Sequence, residues 1–219
     1  MEGVSLNHVF LGLLAMGIAL GLIGAGGRPS IRPTRYQALL EGYLRFVRGM
    51  LLDNIGPSGL KYTPLIAAIG LFIFFSNLLG MVPGLEAPTG NINTNLAMAL
   101  IVFLYYNYEG VRENGLSYLK HFMGPVKILA PFFFIVEIIS HIARPITLSL
   151  RLFANMKAGA LLLISLVGLV IQNPFTMAVS PVVLLFIIAI KFLAIFIQTY
   201  IFMILSVVYL AGAVVHEEH

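Results

Sequence analysis

Two apolar runs of about 40 residues each, Ile128 to Ile171 and Phe175 to Val215, fill the second half of the chain, with only Gln172-Asn173-Pro174 between them. A helix rises about 1.5 Å per residue, so each run reaches ~60 Å, twice what a perpendicular crossing of a ~30 Å hydrocarbon core requires. Either the helices tilt far beyond the usual ~20° or each contains a break. Pro131, Pro145 and Pro181 are candidate kinks, but none falls at an obvious tight hairpin, so strong tilting is the expectation. Composition removes the aqueous alternative. Of 219 residues 59% are hydrophobic and 10% charged, against roughly 25% charged in a soluble domain. Such a chain cannot cover itself with polar surface, and lipid is its natural solvent.

The first half supplies further membrane elements. Val9 to Gly26 is just long enough to span, and its Gly17 and Gly21 have the small-xxx-small spacing that admits a second helix, or are glycines merely tolerated there. Between Thr34 and Asp53, apolar residues recur at helical spacing but are interrupted by Arg35, Glu41, Arg45, Arg48 and Asp53. That pattern predicts an amphipathic helix lying in the membrane surface. Spans are predicted at 62–82 and 92–108, joined by a turn-rich loop, and a polar stretch from Glu109 to Lys127 follows. The predicted fold class is an all-α integral membrane protein forming one domain: five crossing helices and one surface helix, with the last two, 128–171 and 175–215, long and strongly tilted.

The basic residues set the expected orientation. Arg28, Arg32, Arg35, Arg45, Arg48 and Lys61 lie between the first two spans, and Arg112, Lys120 and Lys127 between the third and fourth. The loops Pro83–Asn91 and Gln172–Pro174 hold no Lys or Arg. The positive-inside rule places the basic loops in the cytoplasm, the N-terminus outside and the tail His216-Glu217-Glu218-His219 inside. The net charge of +4 is read as this orientation signal, not as a nucleic-acid footprint. No cysteine is present, which excludes disulfides and thiolate chemistry. No signal or transit peptide is recognised at Met1, which points to a bacterial cell membrane or to an organelle's own membrane-protein gene. Neither a Gly-rich phosphate loop, a Ser-His-Asp order nor a carboxylate cluster of metal-ligand type occurs, so no catalytic nucleotide site, cofactor or metal is expected on this chain.

Four cations remain inside apolar runs, Arg144, Arg151, Lys157 and Lys191, together with Glu137 and His141. Charge at membrane depth costs at least ~2.5–3.5 kcal/mol per residue and usually marks an ion pathway or a paired site. At about 100° per residue, Glu137, His141, Arg144, Arg151 and Asn155 fall within about 40° of one helix line, a polar stripe that lipid cannot face. Each residue has a plainer reading beside the functional one. Arg144 can be a counter-ion for Glu137 or snorkel to an interface, and Glu137 can be its structural partner. His141 can be a packing residue or a proton relay, and Lys157 can simply snorkel. Lys191, Gln198 and Tyr209 share a face of the last helix, where Gln198 can serve a helix–helix hydrogen bond. Histidines at 216 and 219 suit a solvated helix end better than a metal site.

The segment from Pro145 to Gly159, with Arg151-Leu-Phe-Ala-Asn155 at its centre, resembles the signature of the a subunit of F-type ATP synthases. So do Phe196-Ile-Gln198 through Tyr209-Leu210 and Ser76-Asn77-Leu-Leu-Gly80-Met-Val-Pro83. Spacing and order agree across roughly 60–215. The resemblance implies two long tilted helices wrapping a ring of c subunits, peripheral-stalk b subunits as further partners, and H⁺ as the transported ion, with Na⁺ left open. It implies that Arg151 faces the ring's carboxylates, with Asn155 and Gln198 beside it and Glu137 and Asn77 lining the channels. It also exposes a departure. Ala160 stands where family members often carry an ionisable inlet residue, Lys191 where bacterial members often have His, and Lys157 is additional. Two expectations compete for Lys191: a replacement for the missing inlet residue, or a charged partner for a carboxylate such as Glu137. The other function classes weighed are a secondary transporter or ion channel without a rotor, which calls for broken helices and usually a repeat, and a structural scaffold, which the polar stripe opposes.

Overall fold

The computed structural model describes residues 6–25, 34–82, 87–115, 130–172 and 174–214. Six α-helices occur among them: α1 (Leu6–Ala25), α2 (Arg35–Ile55), α3 (Thr63–Leu79), α4 (Ile92–Asn114), α5 (Ala130–Gln172) and α6 (Pro174–Val214). Short 3-10 turns at Pro57–Tyr62 and Pro88–Gly90 lead into α3 and α4.

Local chemistry fixes the ends of α2 and α4. The Thr34 hydroxyl accepts from the backbone N–H of Gln37 at 3.4 Å, and the Asn91 side chain accepts from that of Asn93 at 2.9 Å. These caps satisfy N–H groups that have no partner within their helix. Both helices stop at a glycine with positive φ, Gly56 at 85° and Gly115 at 54°, a conformation that costs other residues more. The helix predicted at 92–108 therefore runs on to Asn114, through what the sequence suggested was polar connection. Glu109 makes this possible, because its carboxylate is buried among partners instead of demanding solvent.

α5 and α6 are each continuous, at 43 and 41 residues, with Pro145 and Pro181 inside them. No hairpin divides either, as expected from the sequence. Among the described residues three segments are long and apolar enough to cross a membrane, Pro57–Leu79, Phe134–Leu166 and Ser180–Val214, while the apolar part of α1, Phe10–Gly21, is shorter. The most apolar 18-residue window of the last segment is only 6% buried, so this helix requires lipid or another subunit against its surface.

One apolar core joins five helices. Val47, Leu51 and Ile55 of α2 meet Ile66, Ile69 and Ile73 of α3, Val102 and Tyr106 of α4, Leu148 and Leu152 of α5, and Phe202, Val207 and Leu210 of α6. Gly70 lets α3 approach α2 and α6: a Cβ there would run into Met203 Sδ and Tyr43 Oη. Tyr43 uses that space to donate its hydroxyl proton to the Ala67 carbonyl at 2.8 Å. α1 packs on α3 and buries Leu11, Ala15 and Ala19. Gly17 and Gly21 turn the other way and have nothing within 4 Å of an added Cβ, so their spacing serves no helix contact among the described residues.

Candidate ion-conduction site

α5 carries the unusual charges, and its neighbours sort them into three groups along its length. In the first group, Arg144 lies 3.7 Å from Glu137 and its guanidinium sits 5.2 Å from the centre of the Tyr209 ring. Tyr209 packs in turn on Tyr106 of α4. His141 is buried, 8% exposed, with Nε2 at 2.8 Å from Asn107 Oδ1 and 3.3 Å from the Tyr106 hydroxyl. The Asn107 amide nitrogen donates to the Phe103 carbonyl at 2.7 Å, which fixes Oδ1 as the atom facing the imidazole. Nε2 is thus placed to donate to Oδ1 when it carries the ring proton. Tyr106 and Asn107 were not singled out in the sequence, where they read as the polar end of an apolar helix. The pairing of α4 with α5 brings the His141 imidazole to them.

The second group is Arg151 itself. Its side chain is exposed on the surface of the chain, while Leu148, Ser149 and Leu152 beside it are buried. It makes no hydrogen bond or ion pair with any described residue. A guanidinium stays protonated under all ordinary conditions, so its countercharge must come from elsewhere.

The third group surrounds a cavity of about 110 Å³ whose walls include Asn77, Gly80, Asn155, Gly159, Lys191 and Ile195. It is large enough to admit water. Gly159 makes space for lysine: an added Cβ would stand 2.9 Å from Lys191 Cε. Lys191 is half-buried and has no carboxylate partner among the described residues. Asn77 accepts from the Thr89 hydroxyl at 2.6 Å, and Asn95 donates to the Thr89 carbonyl at 2.7 Å. Buried polar atoms nevertheless remain without a partner: Ser76 Oγ, Asn77 Nδ2, Asn95 Oδ1 and Gln198 Nε2. An unsatisfied buried donor or acceptor costs about 1–3 kcal/mol, so these atoms call for water or a further polar partner.

α5 and α6 run antiparallel, with Gly159 against Lys191 and Arg144 against Tyr209. Between these two contacts, Arg151 and Gln198 come to the same level. The residues of the polar line predicted on α5 do not share one environment. The Glu137–Arg144 end faces α4 and α6, Arg151 faces outward, and Asn155 reaches the Lys191 cavity. The pairing of Lys191 with Glu137 is excluded by length. Lys191 packs at Gly159, and 22 residues of α5 place Glu137 about 33 Å away; Glu137 pairs with Arg144 instead. Lys157 is exposed, its ammonium 5.7 Å from the Phe153 ring centre, in keeping with the plainer reading. His216 and His219 lie outside the described residues.

A fourth polar cluster was missed altogether. Glu109, 3% exposed, accepts from the Tyr62 hydroxyl at 3.0 Å and pairs with Lys61 at 3.4 Å and Arg112 at 3.3 Å. Lys61 also pairs with Glu113, and that hydrogen bond holds the Glu113 carboxyl below the usual carboxylate range. The cluster clamps the start of α3 to the end of α4. The separation of 48 positions between Lys61 and Glu109 hid it from any local pattern.

Fold and site together define an all-α integral membrane protein with ionisable side chains on its long apolar helices. Residues 9–211 match the family model described as ATP synthase A chain. The ATP synthase subunit a of Aquifex aeolicus is 76% identical over 213 residues, covering 97% of this chain and 99% of that protein. Subunit a of a Hydrogenobaculum species is 60% identical over 97% of this chain and 98% of its own length, and that of a Nitratiruptor species 49% identical over 98% and 95%. The chain belongs to the ATP synthase subunit a family.

Proposed function

We propose that this protein is the proton-conducting stator subunit of the membrane sector of an F-type ATP synthase in a bacterial inner membrane. It works against a c-ring and is held by peripheral-stalk b subunits. The observation that carries the proposal is Arg151, a permanent cation on the outer surface of an apolar helix with no countercharge among the described residues. A ring of carboxylates moving past this surface supplies that charge. Each carboxylate is pushed towards its ionised form as it reaches the guanidinium, and releases its proton.

The polar groups on either side of Arg151 are then the two half-channels. With the C-terminus in the cytoplasm, Glu137, His141, Arg144 and Tyr209 belong to the cytoplasmic exit, and Asn77, Asn155, Lys191 and Gln198 to the inlet. The fixed positive charge between them repels a proton passing directly, so rotation of the ring is the remaining route. About 2.3 kcal/mol is available per proton for each 100 mV. Lys191 takes the place of the inlet residue missing at Ala160. Held in a small cavity without a carboxylate, it is costly while charged and is able to exchange its proton with water there. A transporter without a rotor is less well supported, because α5 and α6 are unbroken and offer no unwound backbone for a substrate.

The test is Arg151→Ala and Arg151→Lys in membrane vesicles. Both should insert normally and abolish proton-driven ATP synthesis, since the shorter ammonium can lose its proton when desolvated. Synthesis near the wild-type rate in either variant sinks the assignment. Co-purification of the chain with a ring of small hairpin subunits separates the rotor from a channel.

A further inference from the structure

A groove of about 630 Å³ runs between α2 and the start of α3. Leu40, Leu44, Leu60, Ala67 and Leu71 form apolar walls, and Arg48 is the one charged residue that lines it. Leu40, Leu44 and Arg48 follow one another at i, i+4 and i+8, so a single ridge of α2 is apolar for two turns and then ends in a guanidinium. Arg48 is exposed and makes no ion pair or hydrogen bond with any described residue. Lys61, next to Leu60, is already committed to Glu109 and Glu113.

We propose that this groove is a binding site for an anionic phospholipid, with one acyl chain along the leucines and the phosphate on Arg48. The two ends of the site call for one amphiphile. Apolar walls in a membrane protein do not distinguish one hydrocarbon from another, whereas an unpaired guanidinium at the rim selects a phosphate and can hold it through two parallel hydrogen bonds. A partner's helix fits poorly. It would need a carboxylate placed at the rim to meet Arg48 as well as an apolar face, whereas an anionic phospholipid carries both in one molecule. An acyl chain is thin enough to lie lengthwise. Basic pockets beside membrane helices are a recurring seat for anionic headgroups. The lipid would wedge the surface helix against α3, whose other flank bears on α6 beside the ring-facing surface.

The full chain in mild detergent, offered equal amounts of dioleoylphosphatidylglycerol and dioleoylphosphatidylcholine, tests this by native mass spectrometry. The wild type should retain the anionic lipid over the zwitterionic one by roughly fivefold. Arg48→Gln should bring the ratio close to one. Arg45→Gln, on the same helix but not lining the groove, should leave it unchanged. Leu60→Trp, which fills the groove, should reduce retention of both lipids. Equal retention by the wild type overturns the proposal. So does an equal loss of preference in Arg45→Gln and Arg48→Gln, which would mean diffuse attraction to a basic helix. In the assembled complex in phosphatidylglycerol-containing membranes, a photoreactive residue at position 60 should yield lipid adducts; a protein adduct would put a partner's helix in the groove and overturn it as well.

Discussion

Gly159→Ala isolates the Lys191 cavity from the stability of the fold. The new methyl would stand 2.9 Å from Lys191 Cε, but 3.5 and 3.7 Å from Cδ and Cγ, so only the far end of the lysine must move. Turning a terminal torsion by about 30° costs roughly 0.5–1.5 kcal/mol. Replacing glycine by alanine inside a helix returns about 0.8–1 kcal/mol. The two nearly cancel, and the variant should unfold within about 0.5 kcal/mol of wild type in a thermal assay of the solubilised chain. Its proton-driven ATP synthesis in vesicles should nevertheless fall, because the displaced ammonium and the lost volume disturb the waters beside Asn77 and Asn155. Gly159→Leu should overpack the site, costing about 1–3 kcal/mol, and stop synthesis. In the double variant Gly159→Ala with Lys191→Ala, the methyl should add no further loss to that of Lys191→Ala alone. If Gly159→Ala works at the wild-type rate, or adds its full loss in the Lys191→Ala background, then the cavity is not on the proton path and the reasoning fails.

Three further outcomes follow from the same geometry. Lys191→Ala should slow synthesis and shift its pH optimum while Lys191→His restores much of the rate; an unchanged rate and pH profile in Lys191→Ala would refute a relay there, and poor assembly with a normal rate per complex would indicate structural support. Glu109→Ala should destabilise the chain by about 1–3 kcal/mol, the cost of a stranded Tyr62 hydroxyl, while Glu109→Gln, which still accepts that hydrogen bond, should cost less; equal thermal shifts would show that Tyr62 is not held as described. Cysteines introduced singly into this Cys-free chain should label from outside at 84–91 and 172–174 and from inside at 112–127, and labelling of 112–127 from outside would refute the five-span orientation.

Sequence alone determined the elements that one helix can specify by itself. Apolar runs too long for a perpendicular span, the amphipathic pattern from Thr34 to Asp53, and the recurrence of Glu137, Arg144, Arg151 and Asn155 along one line need only the 3.6-residue period and the cost of charge in lipid. The family was readable for a related reason: the Arg151-to-Asn155 segment and the distal Gln198 form a local pattern too specific to arise from packing. What a polar residue meets across the bundle is a different kind of fact. Lys191 was equally a partner for Glu137 or a lone cation until α6 was laid on α5 with Gly159 opposite it, and the length of α5 between the two acidic and basic positions then decided the matter. His141 acquired the Asn107 amide oxygen and the Tyr106 hydroxyl as neighbours through the packing of α4. Glu109 looked like the start of a polar connection until Lys61 and Tyr62, 48 and 47 residues earlier in the chain, were brought against it. A single charged side chain in a hydrophobic sequence announces that it must be compensated; which group compensates it is settled by the register of helices far apart in the chain, and no local period encodes that register.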